Sequence, residues 1–148
     1  MTDVDRAMTF WWRWLMVAAI IVLGFGLALV LLADPMQHAF EMLYFAPQAD
    51  SALDPAAAAY TTFLQAILGS VMIGWAVLLL YVIYVPFRRL ETSAWNMVAV
   101  SLIVWFVPDT AFSLMSGFWQ NVILNTALLA VFAIPLAATY GRFHRQHT

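Results

Sequence analysis

The run AAAYTTFLQAILGSVMIGWAVLLLYVIYV, residues 57–85, decides the fold of this chain. It contains no charged residue and exceeds the roughly 20 apolar residues that an α-helix needs to cross a bilayer's hydrocarbon core. The whole chain has this character, because 65% of its 148 residues are hydrophobic and only 9% are charged. Soluble domains carry roughly 45–50% apolar and about 25% charged residues. We therefore expect lipid, rather than water, to cover most of the surface.

Three further apolar stretches accompany this run, and the four together predict four transmembrane helices. We place them at about 12–33, 55–86, 94–115 and 119–141, with an external loop at 34–53. The first stretch follows two arginines, as a signal peptide would, but it is longer than the roughly 7–15 apolar residues of such a peptide. The sequence thus predicts an all-α membrane protein, with one membrane domain folded as a four-transmembrane-helix bundle.

The arginines predict the orientation of these helices. They form three pairs, which lie at the start of the first helix, between the second and third, and after the fourth. In order, the pairs are Arg6 with Arg13, Arg88 with Arg89, and Arg142 with Arg145. The 34–53 loop contains acidic residues but no arginine, and the chain contains no lysine. Because basic residues accumulate on the cytoplasmic side of membrane proteins, both termini are expected in the cytoplasm.

The external loop predicts a short amphipathic helix lying on the membrane surface. Asp34-Pro35 is a helix-start signal, with a capping side chain followed by proline at the first helical position. Apolar side chains then recur at helical spacing, and polar ones lie opposite. The apolar positions are Met36, Phe40, Leu43 and Tyr44, and the polar positions are Gln37, His38 and Glu41. We expect Pro47 to end this helix and Asp54-Pro55 to begin the next one.

Asp109 is the single acidic residue inside a predicted span. A carboxylate in the bilayer is costly, so such residues usually face other helices or a wet cavity. If the third helix runs to Met115, Asp109 lies at the same predicted depth as Gln65 and Asn125 on neighbouring helices. Asn121 and Ser113, each one turn nearer the outside, extend this polar level. Pro108 lacks a backbone donor and is expected to kink or break the helix beside it.

This polar level allows three interpretations. In the first, Asp109 is an acid, a base or a cation partner in an outward-facing pocket, with Gln65, Asn121, Asn125 and Ser113 binding a ligand. In the second, the polar side chains bond one another and hold the helices together. In the third, the helix stops at Val107 and Asp109 caps its end in an external loop. No metal site is predicted, because cysteine is absent and the three histidines lie outside the spans.

Small residues make one side of the second helix thin. Gly69-Ser70 and Gly74 let a neighbouring helix approach, and Ser70 with Gly74 has the four-residue spacing typical of close helix pairs. Gly24 and Gly26 in the first helix lack that spacing. We interpret the thin side as internal packing, with a face for a partner subunit as the alternative.

Three segments resemble uncharacterised bacterial four-transmembrane-helix small membrane proteins. They are AILGSVMIGW at 66–75, WFVPDT at 105–110 and NVILN at 121–125. The resemblance covers the second to fourth helices and implies topology, with no activity to carry over. With the arginine pattern, it favours a multi-pass location in the bacterial inner (plasma) membrane.

Two functions follow as hypotheses. The first is an accessory or scaffold subunit of a larger membrane complex, suggested by the small loops and the scarcity of ionisable groups in the spans. The alternative is a membrane enzyme or binding protein for a lipophilic ligand (an isoprenoid, a sterol-like compound or a quinone), with Asp109 as acid or base. Neither requires a cofactor. The expected partners are membrane lipid and other membrane-protein subunits or further copies of the chain, and the separated basic pairs argue against nucleic acid.

Overall fold

The computed structural model describes residues 3–45 and 54–144, with side chains described for residues 6–44 and 54–144. Every regular element in these ranges is a helix. The elements are α1 (Asp3–Leu31), α2 (Ala33–Phe45), α3 (Pro55–Val82), a π-helix (Ile83–Phe87) that continues α3, α4 (Thr92–Met115) and α5 (Trp119–His144). The all-α prediction is thus confirmed for the part of the chain that the structure describes.

Four of these helices are long and apolar enough to cross a membrane. The candidate spans are Arg6–Leu31, Pro55–Phe87, Thr92–Met115 and Trp119–His144. Their number and order agree with the sequence prediction. The exposed side chains along them are largely aliphatic or aromatic, such as Ile21 at 61% and Leu78 at 65% exposure. Such a surface is costly in water and is compatible with lipid as the surrounding medium.

The junction between α1 and α2 differs from the prediction. Only Leu32 separates the two helices, and its backbone N–H still donates to the carbonyl of Ala28 at 2.9 Å. Asp34 therefore lies within the first turn of α2 instead of capping it, although a carboxylate there still favours the positive end of the helix dipole. The predicted stop at Pro47 lies outside the described residues, and the position of α2 on a membrane surface stays a prediction.

The chain divides into two compact units. Unit 1 comprises Met1–Ile20 and Leu78–Thr148, and unit 2 comprises Ile21–Val77. In unit 1, α4 packs along α5, and the rings of Phe87 and Phe143 lie 4.6 Å apart with both side chains buried. Burying two aromatic rings in contact stabilises the unit by their apolar area plus about 0.5–1.5 kcal/mol for the ring pair.

The core of unit 2 includes a very close approach of α1 to α3. A Cβ atom placed on Gly69 would lie 2.7 Å from the carbonyl oxygen of Gly26 and 2.8 Å from Cβ of Leu29. No real side chain fits at that distance, so glycine is required for the two backbones to pack. The predicted thin side of α3 is therefore used for packing at Gly69. Gly74 lies apart from this contact, and a Cβ there would have no neighbour within 4 Å.

Proline and strained backbone shape the connection from α3 to α4 in unit 1. The carbonyl of Pro86 accepts the N–H groups of Arg89 and Glu91, both at 3.1 Å, which closes a tight turn after the π-helix. Leu90 in that turn has φ +60°, a left-handed conformation that costs a non-glycine residue roughly 1–2 kcal/mol. The hydrogen bonds to Pro86 thus hold the turn in place despite the unfavourable conformation of Leu90.

Three tryptophan indoles of unit 1 donate to carbonyl oxygens of other helices. Trp12 donates to Ile83, Trp14 to Val131 and Trp95 to Leu136, each at 2.9 Å. Within unit 1, these tryptophans therefore serve as hydrogen-bond donors between helices.

Candidate functional site

Three polar residues singled out from the sequence, Asp109, Ser113 and Asn121, are hydrogen-bonded to one another between α4 and α5 of unit 1. The Nδ2 atom of Asn121 donates to Oδ1 of Asp109 at 3.0 Å and to Oγ of Ser113 at 2.7 Å. The hydroxyl of Ser113 donates to the backbone carbonyl of Asp109 at 2.7 Å and lies 3.4 Å from its Oδ1. Asp109 and Ser113 are one helical turn apart, so α4 presents both to the single amide of Asn121.

A second and weaker polar contact lies one turn along α5. Asn125 is buried, and its Nδ2 atom lies 3.5 Å from Oγ1 of Thr110. Thr110 was not among the residues singled out from the sequence, although it follows Asp109 directly. Threonine hydroxyls often bond a carbonyl of their own helix, so nothing in the sequence indicated that Thr110 would contact α5. Together the two contacts place a polar seam between α4 and α5.

Gln65 lies on α3 in unit 2, whereas the rest of the predicted level lies in unit 1. Its Oε1 atom is buried and has no hydrogen-bond partner among the described residues. A buried, unpaired carbonyl of this kind costs roughly 1–3 kcal/mol. The meeting of Gln65 with Asp109 and Asn125 stays a prediction.

Helix α4 continues past Pro108 to Met115, with the proline inside it. The interpretation in which the helix stops at Val107 and Asp109 caps its end is therefore wrong. Proline removes one backbone hydrogen bond, but the residues on both sides keep helical geometry, so the helix does not break. The predicted kink at Pro108 stays a prediction.

Unit 2 contains a polar network around Gln37, whose burial the sequence did not predict. Gln37 was expected on the solvent-facing side of α2, but only 7% of it is exposed. The hydroxyl of Thr62 donates to Oε1 of Gln37 at 2.8 Å, and Nε2 of Gln37 donates to Oε1 of Glu41 at 3.0 Å. Because both ends of the amide are hydrogen-bonded, Gln37 can be buried without leaving a polar atom unpaired. The four-residue spacing of Gln37 and Glu41 in the sequence is compatible with their hydrogen bond on one helical face. Nothing in the sequence indicated that Thr62 on α3 would be the other partner.

Two grooves lie in unit 1 away from Asp109. One, of about 330 Å³, is lined by three arginines, Arg13, Arg88 and Arg142, together with Trp12 and other side chains. The other, of about 460 Å³, is almost entirely apolar and lies along α4 and α5 between Trp95 and Tyr140. Neither groove is lined by any of the predicted site residues.

The titratable groups of the described ranges form no cluster of three or more that could hold a metal ion. Nδ1 of His38 lies 3.5 Å from Oε2 of Glu41, one turn away on α2. Nε2 of His144 lies 3.3 Å from Oδ1 of Asn96, and its ring stacks on Tyr140 at 4.2 Å. Both histidines thus have local partners within their own units.

In comparisons with known proteins, no family model, no curated protein and no solved structure matches the chain. The class that the fold defines is an all-helical protein with four helices able to span a membrane.

The hydrogen bonds of Asp109 predict how it responds to substitution. Asp109→Asn keeps an oxygen that accepts from Asn121, so we expect the free energy of unfolding to change by less than about 0.5 kcal/mol. Asp109→Ala removes that acceptor and is expected to cost about 1 kcal/mol, since a hydrogen bond between membrane helices contributes about 0.6 kcal/mol on average. Unfolding by SDS titration in mixed micelles measures both.

Ser116→Ala is the matched control, because Ser116 is exposed just beyond the end of α4. It should leave the unfolding free energy unchanged. If Asp109→Asn destabilises the protein as much as Asp109→Ala, the negative charge itself, and not the acceptor oxygen, holds this site together.

Proposed function

We propose that this chain is a multi-pass protein of the bacterial inner membrane that serves as an accessory or scaffold subunit of a larger membrane complex. The observation that carries the proposal is the engagement of Asp109. Its carboxylate accepts from Asn121 and lies beside Ser113, so the one carboxylate of the candidate spans is used to join α4 to α5. A group fixed in this way suits a structural role better than proton transfer to a ligand.

The character of the spans supports the same proposal. Large apolar side chains are exposed on all four, with Phe63 at 59%, Val104 at 66% and Ile123 at 57% as examples. Side chains of this kind pack equally well against lipid tails and against apolar helices of other subunits. We therefore propose that parts of these faces contact other membrane-protein subunits or further copies of the chain, and the remainder contacts lipid.

We further propose that both termini lie in the cytoplasm. The support is the separation of charge, with every arginine on one side of the predicted topology and the acidic loop on the other. Because the chain has no cysteine, single cysteines can be introduced at Arg89 and at Asp54. In intact cells, a membrane-impermeant maleimide should label Asp54→Cys and should leave Arg89→Cys unlabelled. The reverse pattern would refute the orientation.

The subunit role is tested by purifying the tagged protein from its native membrane in a mild detergent and weighing it by native mass spectrometry. We expect a complex of defined mass that contains a partner in fixed stoichiometry. An unrelated four-helix membrane protein with the same tag and expression level is the control for non-specific partners. Recovery of a free monomer alone would contradict the proposal.

The alternative proposal is an enzyme or binding protein for a lipophilic ligand, with Asp109 as acid or base in an outward-facing pocket. It has less support, because the carboxylate of Asp109 already accepts a hydrogen bond from Asn121 and lies beside Ser113. It makes a distinct prediction, since Asp109→Asn would then abolish turnover or binding while leaving the fold intact. A small lipophile retained in stoichiometric amount during purification would favour this alternative.

A further inference from the structure

Three of the six arginines gather around one groove of unit 1 although they are far apart in sequence. Arg13 lies on α1, Arg88 follows the π-helix, and Arg142 lies in the last turn of α5. The groove has a volume of about 330 Å³, and none of the described residues that line it is acidic. Three guanidinium groups around one space produce a local positive potential in a chain whose net charge is −2.

Arg88 is held in the groove by its contact with Trp12. Its guanidinium carbon lies 5.2 Å from the centre of the Trp12 ring, a distance typical of a cation–π interaction. The indole N–H of Trp12 donates in turn to the carbonyl of Ile83, which fixes the ring. A guanidinium stacked on a ring keeps its N–H donors at its edge, where they can bind the oxygens of an anion. The groove is therefore partly organised before any ligand arrives.

The turn beside Arg88 adds to this organisation. Leu90 lines the groove with φ +60°, and the N–H groups on either side of it are bonded to Pro86. Strained backbone that surrounding contacts hold in place is enriched at ligand sites. Here the hydrogen bonds to Pro86 fix the direction in which the backbone continues after Arg88.

Arg88 and Arg142 lie at the ends of candidate spans, and Arg13 lies in the first part of the span Arg6–Leu31. Arg88 directly follows the span Pro55–Phe87, and Arg142 lies two residues before the end of the span Trp119–His144. Arg13 precedes Leu31, the end of the first span, by a helical length of about 27 Å, close to the roughly 30 Å hydrocarbon thickness of a bilayer. At that level an arginine meets lipid headgroups, and basic pockets between membrane helices bind headgroup phosphates.

We propose that this groove is a binding site for a phosphate group, carried by the headgroup of an anionic phospholipid or supplied as a free phosphate. Arg88, Arg13 and Arg142 bind the phosphate oxygens, because guanidinium donors match their geometry and charge. The apolar side chains of Met8 and Leu90 in the same lining give a lipid's glycerol and acyl segments a surface to contact. This site is independent of whether the chain is a subunit of a complex.

The test uses the full chain in mild detergent and native mass spectrometry. Phosphatidylglycerol and phosphatidylcholine with identical acyl chains are titrated into the wild type, the Arg13→Gln/Arg88→Gln double variant and the triple variant that adds Arg142→Gln. Each arginine near an anionic headgroup contributes roughly a factor of five in affinity. We therefore expect the double variant to bind phosphatidylglycerol about 25-fold more weakly and the triple variant about 100-fold more weakly.

Arg89→Gln is the matched control, because Arg89 is adjacent to Arg88, is exposed and does not line the groove. It should keep phosphatidylglycerol affinity within about two-fold of the wild type, since a screened surface charge contributes little. If the triple variant does not fold, the double variant still tests the proposal. The melting temperature in phosphatidylcholine micelles identifies any variant that has lost its fold.

Inorganic phosphate at millimolar concentration separates the two sources. If it displaces phosphatidylglycerol from the wild type and itself raises the melting temperature, the groove accepts a phosphate from either source. If it does neither while the arginine variants lose the lipid, the ligand is the lipid headgroup. Equal binding of the two lipids by the wild type, or equal loss in Arg89→Gln and in the double variant, overturns the proposal.

Discussion

Gly69→Ala is expected to lower the free energy of unfolding by about 2 kcal/mol, because the added methyl group collides with the backbone of α1 in unit 2. Its Cβ would lie 2.7 Å from the carbonyl oxygen of Gly26, and that oxygen cannot move without moving its helix. Overpacking of this kind costs roughly 1–3 kcal/mol. Unfolding by SDS titration in mixed micelles measures the loss.

Gly26→Ala should behave in the same way, since its Cβ would lie 2.9 Å from the carbonyl oxygen of Gly69. The two changes relieve the same contact, so their double variant should cost less than the sum of the single variants. Such non-additivity is the signature of one shared helix–helix contact.

Gly24 and Gly74 supply matched controls on the same two helices. A Cβ at either position has no neighbour within 4 Å, so alanine adds no clash. It should instead stabilise the helix slightly, by up to about 1 kcal/mol, because alanine loses less conformational freedom than glycine. If Gly69→Ala is as well tolerated as Gly74→Ala, α1 and α3 do not approach as closely as the structure indicates.

The second large effect is expected at Trp14, whose indole N–H compensates for a proline in α5. Pro135 has no N–H, so the carbonyl of Val131, four residues earlier, lacks its usual helical donor. Nε1 of Trp14 donates to that carbonyl at 2.9 Å. Proline is tolerated in membrane helices where a neighbour supplies the missing bond, and here the neighbour is on α1.

Trp14→Phe keeps an aromatic ring beside Phe10 and Trp11 but removes the donor. It leaves the carbonyl of Val131 without this donor on a surface that we propose lipid covers, which is expected to cost roughly 1–3 kcal/mol. Trp119→Phe is the matched control, because the side chain of Trp119 is 60% exposed. That control should change the unfolding free energy by less than about 0.5 kcal/mol.

A double-mutant cycle with Pro135→Ala isolates the cause. Alanine restores a backbone N–H at position 135, so the carbonyl of Val131 regains its helical partner and the indole becomes dispensable. Trp14→Phe should therefore cost about 1 kcal/mol less in the Pro135→Ala background than in the wild type. Equal costs in the two backgrounds would show that Trp14 stabilises unit 1 through packing and not through the proline's carbonyl.

The sequence alone indicates that Asp109, Ser113, Asn121 and Asn125 lie on two consecutive helices. Because the helical rise is fixed, the sequence predicts Asn125 at the depth of Asp109, with Asn121 and Ser113 one turn nearer the outside. In the structure, the amide of Asn121 donates to Asp109. Which atoms pair could not be predicted, since that depends on the rotation of α5 about its axis. The same limit explains Gln37, whose buried face became evident only from its contact with Thr62 on α3.

The sequence by itself determined the four long apolar helices, because length and hydrophobicity are local properties that need no partner to be read. It also determined that Gly69 lies on a thin side of α3. Only the tertiary structure decided that Gly69, and not Gly74, meets another helix, that Trp14 serves the carbonyl freed by Pro135, and that three arginines share one groove. These are contacts between residues far apart in the chain, and they depend on helix rotation and packing distance, which no local pattern encodes.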